Sequence, residues 1–326
     1  GMHGTYEANL AMHGCDLMLN LGARFDDRVT GLISGFSPNS TKIHCDIDPS
    51  SVNKNVAVDL AVIGDATKIL EALIAEMKKR KFKPHKTSLD KWWSQIEVWR
   101  KRDCLRFNQT GSIIKPQHAI KRLCEMTAER DVYVTTEVGQ HQMWAAQYFD
   151  FHLPNRWMTS GGLGTMGYGL PAALGVQVAH PGAMVIDIAG EASFMMNMQE
   201  LSTLSQYNLP VKMFIINNEW MGMVRQWQEL IHGGRYSESY SASLPDFRKL
   251  ADTFNMTGLV AQSSDDLDSV ITQMLDTPGP VIADIRVAKE ENCFPMIPSG
   301  AAHNDMLLGP EDQAEKPVSE EGMVLV

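Results

Sequence analysis

Short apolar runs alternate with amphipathic segments along most of this 326-residue chain. In its first part, the runs at residues 16–21 and 42–47 lead into turns that begin with Gly or Asp-Pro, which is typical of strands. Between residues 66 and 77 the apolar positions recur at helical spacing along one face. These patterns predict a first block of alternating strands and helices.

A second block of the same kind is predicted from Pro116 onward. Its four compact apolar runs occupy residues 132–136, 183–188, 211–216 and 281–285 and alternate with helical patterns. Strands that are apolar throughout are buried on both faces, which favours a parallel sheet between two layers of helices. The predicted fold class is therefore α/β, with two parallel-sheet, three-layer αβα domains.

The predicted domain boundaries follow changes in polarity along the chain. Residues 1–80 are assigned to the first domain, 81–115 to a polar connector, 116–290 to the second domain and 291–326 to a C-terminal tail. The connector begins in the basic run 78–84, which is typical of a solvated linker, with a phosphate-binding role as the less favoured alternative. Six apolar residues are expected to pack in cores and not to bind a ligand: Trp92, Trp93, Trp99, Met195, Met196 and Met198.

Composition narrows the class of protein. Hydrophobic residues make up 44% of the chain and charged residues 21%, and the formal charge of −10 lacks the basic excess of a nucleic-acid-binding protein. No apolar run reaches the length of about 18 residues that a membrane span needs. The five cysteines form no C-x-x-C pair, so neither a disulfide framework nor a zinc site is indicated, and a reducing cytoplasm is expected.

Polar side chains follow two runs of the second block. The sequence Gly-Glu-Ala-Ser at residues 190–193 follows one run, and Asn217-Asn218 closes the next. A βαβ connection would bring both turns to the carboxyl ends of neighbouring parallel strands, where ligands bind in open α/β sheets. A carboxylate and an amide oxygen at that edge suit Mg²⁺, which usually keeps diphosphate oxygens and water as its other ligands. Each turn alone is also explained as a helix cap or a tight turn.

This spacing resembles the thiamine diphosphate (ThDP) signature, in which Gly-Asp-Gly is followed at a similar distance by Asn-Asn. Five further segments are similar to the acetolactate synthase family, large catalytic subunit: residues 1–4, 22–28, 138–144, 161–171 and 222–228. The resemblance covers nearly the whole chain. Because the first four residues resemble the interior of the family's middle domain, we expect a C-terminal part of a longer polypeptide, or a partial gene.

The resemblance implies three cofactors, namely ThDP, Mg²⁺ and FAD. Glu191, the Asn218 side chain and the Trp220 carbonyl would bind the metal. The implied ThDP contacts are Gln140, His141, Gly164, Met166, Glu191, Ala192, Ser193, Asn218, Gly222 and Met223. Gln140 and His141 would hold the diphosphate, and Met166 would support the bent cofactor. The implied contacts with a structural FAD are His3, Gly22, Ala23, Arg24, Asp26, Asp46, Ile47 and Asp65. Asp46 taken alone is equally explained as a turn cap.

Two residues depart from the family pattern at the metal turn. Glu191 stands where Asp is usual, and its extra methylene lengthens the arm by about 1.5 Å, one carbon–carbon bond. Mg²⁺ demands near-octahedral geometry, so the turn must shift to compensate. Ala192 in place of the second Gly adds only a methyl group where the backbone approaches phosphate. We expect metal binding, with an affinity or selectivity that the longer arm can alter.

The implied reaction is decarboxylation of pyruvate and carboligation to a second 2-oxo acid in branched-chain amino acid biosynthesis. Pyruvate would give 2-acetolactate, and 2-oxobutyrate would give 2-aceto-2-hydroxybutyrate. Met223 and Trp227 would border the substrate channel, although a Trp on such a helix is more often buried core. The implied partners are these two substrates, further copies of the chain with sites at subunit interfaces, and a regulatory small subunit. No nucleic acid or membrane partner is expected.

The catalytic acid–base residue is not expected in these residues. In the family, a Glu from the amino-terminal domain of a partner subunit protonates and deprotonates the aminopyrimidine, and no part of these 326 residues resembles that domain. We therefore expect the chain alone to be inactive. Two alternatives stay open: another ThDP enzyme, such as a 2-oxo acid decarboxylase or glyoxylate carboligase, or a non-catalytic cofactor-binding or assembly fragment.

Overall fold

The computed structural model describes residues 1–311 and divides the chain into two compact units. The first unit comprises Gly1–Arg106 and the described residues from Phe294 onward, and the second comprises Phe107–Cys293. No helix within the described residues is long and apolar enough to cross a membrane. All five cysteines are free thiols. The predicted C-terminal tail extends beyond residue 311 and in that part lies outside the described residues.

The first unit contains a small parallel sheet. Its strands lie in the order β1 (Leu17–Leu21), β2 (Thr41–Asp46) and β3 (Leu60–Ile63). Its helices are α1 (Tyr6–Gly14), α2 (Asp27–Thr30), α3 (Ala66–Lys79) and α4 (Lys86–Arg100), with 3₁₀ turns at Ile33–Gly35 and Pro49–Ser51. The strands predicted at residues 16–21 and 42–47 and the helix at 66–77 are confirmed. β3 was not predicted, because a four-residue apolar run does not distinguish a strand from a helix.

Three features of the first unit differ from the prediction. Helix α4 lies in the predicted connector and is part of this unit; Trp92 packs edge-to-face on Trp99 there, with ring centroids 5.7 Å apart. Trp93 is 56% exposed, so its predicted core position is wrong. Residues of the predicted tail also belong to this unit, since Ile297 N–H donates to the Met2 carbonyl at 2.8 Å. A contact between residues from opposite ends of the sequence produces no local sequence pattern, so it could not be predicted.

The second unit is built on a six-stranded sheet whose neighbouring strands are all parallel. The strand order is β5 (Trp157–Thr159), β4 (Val132–Thr136), β6 (Met184–Gly190), β7 (Lys212–Asn217), β9 (Val281–Arg286) and β8 (Thr257–Ala261). Its helices are α5 (Pro116–Thr127), α6 (Gln140–Tyr148), α7 (Gly169–Ala179), α8 (Glu191–Met195), α9 (Leu201–Gln206), α10 (Gly222–Leu230), α11 (Phe247–Thr253) and α12 (Ser264–Asp276), with a 3₁₀ turn at Met198–Glu200.

Successive residues of the central strands enter two separate apolar cores, one on each face of this sheet. Ile186 and Ile188 of β6 pack with residues of α5, α6 and α12, whereas Val185 packs with residues of α7 and α11. Burial of both faces explains the uninterrupted apolar runs, and it confirms the predicted parallel-sheet α/β fold. The four predicted strands correspond to β4, β6, β7 and β9.

Some elements of the second unit were missed or placed wrongly. β5 and β8 were not predicted, because the first is three residues long and the second contains Thr and Gly within its run. Met196 and Met198 are 51% and 42% exposed, so their predicted core positions are wrong. Helix α8 ends at Met195, and the chain then turns outward through Met196.

The register of β6 and β7 brings the two predicted turns together. Gly190, the last residue of β6, lies opposite Ile216 of β7. Strand β4 borders β6 on its other side, with Thr136 opposite Ile188. The turns after all three strands therefore leave the same carboxyl edge of the sheet.

Candidate functional site

A cleft opens at this edge, where β4, β6 and β7 end. The side chains that line it leave a cavity of about 60 Å³, and the space between them continues into open solvent. The predicted cofactor and metal residues that line it are Gln140, His141, Met166, Glu191, Ala192, Ser193, Asn218, Trp220, Gly222 and Met223. Gly164 and Trp227 are not among the lining residues. The structure thus gathers most of the predicted site in one place.

Glu191 opens α8 with a side chain that is 1% exposed. Its Oε1 atom has no hydrogen-bond partner among the described residues. Burial raises the pKa of this carboxyl to about 8, although the backbone N–H groups of Trp220 and Asn218 act in the opposite direction. A buried carboxylate oxygen without a partner is costly unless a cation neutralises it. The chemistry of this residue therefore fits a bound cation.

The two adjacent asparagines have different partners. Asn217 Nδ2 donates to Asp284 Oδ1 at 2.8 Å and so links β7 to β9 beneath the cleft. Asn218 faces the cleft, where its Oδ1 accepts from Trp220 N–H at 3.1 Å and its Nδ2 donates to Gln140 Oε1 at 3.1 Å. Only the second asparagine presents an amide oxygen beside Glu191.

A carboxylate, an amide oxygen and the Trp220 carbonyl are hard oxygen ligands of the kind that Mg²⁺ takes. Within residues 1–311, no group of three or more His, Cys, Asp or Glu side chains could hold a metal ion. A metal between Glu191 and Asn218 would therefore take its remaining ligands from a bound molecule and from water, as Mg²⁺ commonly does.

Gln140 is buried at the start of α6, and both ends of its amide are used inside the protein. Its Nε2 donates to Gln226 Oε1 and to the Glu291 carbonyl, each at 2.9 Å, and its Oε1 accepts from Asn218. An amide nitrogen carries two N–H groups. In this arrangement neither N–H remains for a diphosphate oxygen, which was the role predicted for Gln140.

His141 is also buried, and burial lowers its pKa to about 3, so its imidazole is neutral. Its Nε2 lies 3.2 Å from Glu137 Oε2, and its ring packs beside Gly190. A neutral imidazole has one N–H to donate. The role predicted for His141, a hydrogen bond to the diphosphate, needs that one N–H to face the cleft and stays a prediction.

The glycine-rich segment before α7 contributes Met166 to the cleft and is hydrogen-bonded to helix α8. Ser193 Oγ accepts from Gly167 N–H at 3.3 Å, so this hydroxyl supports the loop. Gly164 has a φ of +80°, a conformation that favours glycine. Helix α8 has five residues, so its dipole adds little, although the N–H groups of its first turn have no intrahelical partner.

Several glycines around the cleft are required by the protein's own side chains. A Cβ on Gly190 would lie 2.7 Å from His141 Nδ1. A Cβ on Gly222 would lie 2.1 Å from Gln140 Oε1 and 2.9 Å from Asn218 Nδ2. Real Cβ atoms do not approach other atoms this closely, so a larger residue at either position must displace the polar side chain.

Two fully buried carboxyl groups lie behind the cleft. Glu137 follows β4, and Asp187 of β6 accepts from Thr135 Oγ1 at 3.0 Å. Both approach Gly169, where a Cβ would lie 2.3 Å from Asp187 Oδ1 and 2.9 Å from Glu137 Oε1. Burial raises the pKa of both groups, and the neighbouring Glu137 raises that of Asp187 further. Like charges this close in the interior favour protonation of at least one carboxyl.

The predicted FAD residues lie in the first unit, and three of them share the carboxyl edge of its sheet. Gly22 follows β1 with a φ of +70°, Asp46 ends β2, and Asp65 follows β3. The Gly22–Ala23 turn is fixed because the Ala23 carbonyl accepts from Asn20 Nδ2 at 2.7 Å. A turn at the end of a parallel strand is where nucleotides bind in related folds.

The carboxylates of this edge also have local partners. Asp46 Oδ1 accepts from Asp48 N–H at 2.8 Å, and Asp65 caps α3 through Lys68 N–H at 3.1 Å. Arg24 pairs with Asp26 at 2.6 Å on the surface. Ile47 is 70% exposed, Ala23 is exposed, and His3 Nδ1 lies 3.0 Å from the Pro295 carbonyl. These contacts agree with structural roles and leave an FAD site as a prediction.

Family comparisons agree with the geometry of the cleft. Residues 137–285 match the model described as thiamine pyrophosphate enzyme, C-terminal TPP binding domain. Residues 1–73 match the model described as thiamine pyrophosphate enzyme, central domain. The chain belongs to the thiamine pyrophosphate enzymes. Thiamine pyrophosphate is the same compound as ThDP. The residues that match its binding domain, 137–285, include Glu191 and Asn218.

Individual relatives of this chain are acetolactate synthase large subunits. The chain is 44% identical to the Haemophilus influenzae protein over 309 residues, which cover 94% of the chain and 54% of the relative. It is 44% identical to the Escherichia coli isozyme 3 large subunit and 46% identical to the Buchnera aphidicola subsp. Schizaphis graminum protein, with the same coverage. The predicted resemblance is confirmed, and the chain spans about half the length of these relatives.

Two buried residues behind the cleft were not singled out from the sequence. Gln226 is 0% exposed and contacts Gln140, while Arg225 is 1% exposed and its Nη2 donates to the Glu291 carbonyl at 3.0 Å. Their helical spacing from Gly222 was a usable signal, because residues three and four positions apart share a helix face. Arg225 and Gln226 lie on the same face of α10 as Gly222, which is packed closely by buried side chains, so both are expected to point into the protein.

The Glu137–Asp187 pair predicts a pH dependence of stability. Unfolded carboxyl groups have pKa values of about 4, so between that value and the raised folded pKa the folded state holds more protons. This contribution therefore falls as pH rises, by up to about 1.4 kcal/mol per pH unit for each proton. Replacing Glu137→Gln should flatten the decline in the free energy of unfolding between pH 5 and 8, as measured by urea titration.

The control for this experiment is Glu129→Gln, which changes an exposed carboxyl after α5. His141 contributes an opposite slope below about pH 6.5, because its folded pKa is lowered. The difference between the wild-type and Glu137→Gln curves is therefore the quantity to compare. Parallel curves across pH 5–8 would show that Glu137 holds no extra proton in the folded state.

A second prediction concerns Gly222, the first residue of α10. Alanine is a better helix former than glycine, so a helical effect alone would stabilise Gly222→Ala. We instead expect the new Cβ to separate Gln140 from Asn218 and to lower stability by about 1–3 kcal/mol through overpacking. The matched control is Gly175→Ala in α7, where a Cβ meets no atom within 4 Å. Thermal unfolding should shift downward for the first variant and not for the second.

Proposed function

We propose that this chain forms the diphosphate- and metal-binding half of an acetolactate synthase active site. The observation that carries the proposal is the convergence of the buried Glu191 carboxyl, whose Oε1 has no partner among the described residues, and the Asn218 amide at one edge of the sheet. A buried acidic oxygen beside an oriented amide would suit a divalent cation, which would help to hold a diphosphate. The names of the relatives extend the proposal from the family to this activity.

Each residue of the cleft has a proposed task. Glu191, Asn218 Oδ1 and the Trp220 carbonyl hold Mg²⁺, and the neutral His141 donates a hydrogen bond to the diphosphate. The Met166 and Met223 side chains line the cleft and exclude water from the reacting end. When bound, ThDP supplies the carbanion and the electron sink for decarboxylation of a 2-oxo acid. The protein's contribution is orientation, charge balance and a dry surface.

The finer assignments of the whole enzyme are part of the same proposal. Pyruvate is the first substrate, pyruvate or 2-oxobutyrate is the second, and the products lead to branched-chain amino acids. Met223 borders the substrate channel, and Trp227 lies one helical turn further along the same face of α10. A structural FAD, further copies of the chain and a regulatory small subunit complete the proposed assembly.

The alternative of a decarboxylase or another carboligase predicts the same metal site but different products. The identity of 42–46% to acetolactate synthase large subunits favours the synthase. The alternative of a non-catalytic binding fragment is favoured by the side chains that line the cleft. Among the described residues that line it, only His141 and Glu191 carry titratable side chains, and both have other tasks.

The proposed function predicts Mg²⁺-dependent binding of ThDP to this chain. Trp144 and Trp220 line the cleft, so binding should change the intrinsic tryptophan fluorescence, and calorimetry can supply the dissociation constants. We expect the dissociation constant for ThDP to rise at least tenfold when Mg²⁺ is removed by a chelator. A folded chain that binds ThDP equally well with and without the metal would contradict the proposed site.

Glu191→Gln tests the metal ligand within that experiment. The variant keeps the size of the side chain and removes its charge, so we expect Mg²⁺ dependence to be lost while the fold is kept. Glu125→Gln, a change in a surface pair with Arg122, is the matched control. Unchanged Mg²⁺ affinity in Glu191→Gln would exclude Glu191 as a ligand.

Turnover by this chain alone is predicted to be negligible. No described residue of the cleft is free to move a proton on the cofactor, so we propose that this group comes from another polypeptide segment. With ThDP, Mg²⁺, FAD and pyruvate, acetolactate formation should stay far below the rate of about 1 s⁻¹ that is common for enzymes. Acetolactate formed at such a rate would show that the chain contains its own acid–base group.

A further inference from the structure

The amide of Gln226 has its orientation fixed by a backbone segment. Its Oε1 accepts from the N–H of Cys293 at 2.7 Å, and its Nε2 donates to the carbonyl of Cys293 at 3.2 Å. A backbone N–H can only donate and a backbone carbonyl can only accept. The reversed amide would oppose both contacts, so only one orientation of this buried side chain is compatible with its surroundings.

The orientation of the Gln140 amide is fixed in turn by Gln226 and by the backbone of Glu291. Its Nε2 meets two acceptors, Gln226 Oε1 and the Glu291 carbonyl, each at 2.9 Å. Reversal would place its oxygen against both acceptors, and the side chain is 3% exposed, so water cannot replace the lost bonds. The oxygen of Gln140 therefore points to Asn218.

Asn218 is the last member of this series. Gln140 Oε1 accepts from Asn218 Nδ2 at 3.1 Å, and the Trp220 N–H donates to Asn218 Oδ1 at 3.1 Å. Both contacts select the same orientation, in which the oxygen lies on the side of the Trp220 turn. An amide can bind Mg²⁺ through oxygen and not through its NH₂ group, so this orientation decides whether Asn218 is a ligand.

We propose that Gln226 is a positioning residue that, through Gln140, fixes the Asn218 amide with its oxygen toward the metal. The inference rests on the proposed metal site and adds two residues that support it without touching the ion. Hydrogen-bonded residues behind metal ligands typically change metal affinity about 10–100-fold when they are replaced. Arg225 strengthens the backbone anchor, since its Nη2 donates to the Glu291 carbonyl at 3.0 Å and also contacts Asn292.

The test compares two substitutions at Gln226. Gln226→Met keeps the length of the side chain and removes both its donor and its acceptor. Gln226→Glu keeps an acceptor oxygen for Gln140 and, as a neutral buried carboxyl, also donates to the Cys293 carbonyl. We expect the dissociation constant of Mg²⁺ at saturating ThDP, measured by calorimetry, to rise about 10–100-fold in the Met variant and less than threefold in the Glu variant.

Gln177→Met is the matched control for loss of a buried glutamine. Gln177 is 1% exposed in α7, and its Nε2 donates to the carbonyls of His180 and Ala183. This variant should lose thermal stability without a change in Mg²⁺ affinity. A purely structural role of Gln226 would instead give equal effects of the Met and Glu variants on affinity, and that result would overturn the inference.

A measurement on the wild-type chain keeps the inference testable even if Gln226→Met does not fold. In nitrogen-15 spectra the side-chain NH₂ group of Asn218 should exchange its hydrogen slowly, as expected for a buried donor to Gln140. Exchange at the rate of a free amide would overturn the inference. If the wild-type chain shows no Mg²⁺-dependent ThDP binding, the proposed function fails; if it does and Gln226→Met retains the affinity, only the present inference fails.

Discussion

The parallel pairing of β6 with β7 is the contact on which the site depends. Residues that leave two neighbouring strands at the same edge start about 4.8 Å apart, so the turns need no long side chains to meet. Gly190 lies opposite Ile216, which leaves Glu191 and Asn218 to emerge side by side. Because the two faces of the sheet pack into different cores, a one-residue register shift would move each side chain into the opposite core. The packing of the sheet therefore fixes the position of the candidate ligands before any ligand binds.

Burial of acidic groups at this edge has a thermodynamic cost that the fold tolerates. Glu137, Asp187 and Glu191 are each at most 1% exposed, and burial raises the pKa of all three. Protonation relieves the pair behind the cleft, whereas Glu191 at the surface of the cleft can be relieved by a cation. The same burial thus has two consequences: it favours protonation of at least one carboxyl behind the cleft, and it favours binding of a cation by Glu191 within the cleft.

Much of the sheet could be predicted from the sequence, because its central strands are buried on both faces and leave uninterrupted apolar runs. The Glu191 and Asn218 turns were likewise predictable, since each follows such a run. Strands β5 and β8 gave weak patterns because edge strands are short or mixed in polarity. Helical spacing from Gly222 could have indicated that Gln226 turns inward, but its hydrogen bond with the Cys293 backbone could not be predicted, because Cys293 lies far away in sequence. Contacts between residues far apart in sequence leave no periodic pattern from which they could be predicted.

The crowded glycines have a consequence for how this family diverges. Gly190 and Gly222 are required because His141, Gln140 and Asn218 pack against their Cα atoms, with or without a cofactor. A descendant that lost ThDP binding would still need both glycines to fold its cleft, whereas the charge at position 191 would no longer be under selection. Retention of the glycines alone would then mark ancestry. Retention of an acidic residue beside a correctly oriented amide would mark a working site.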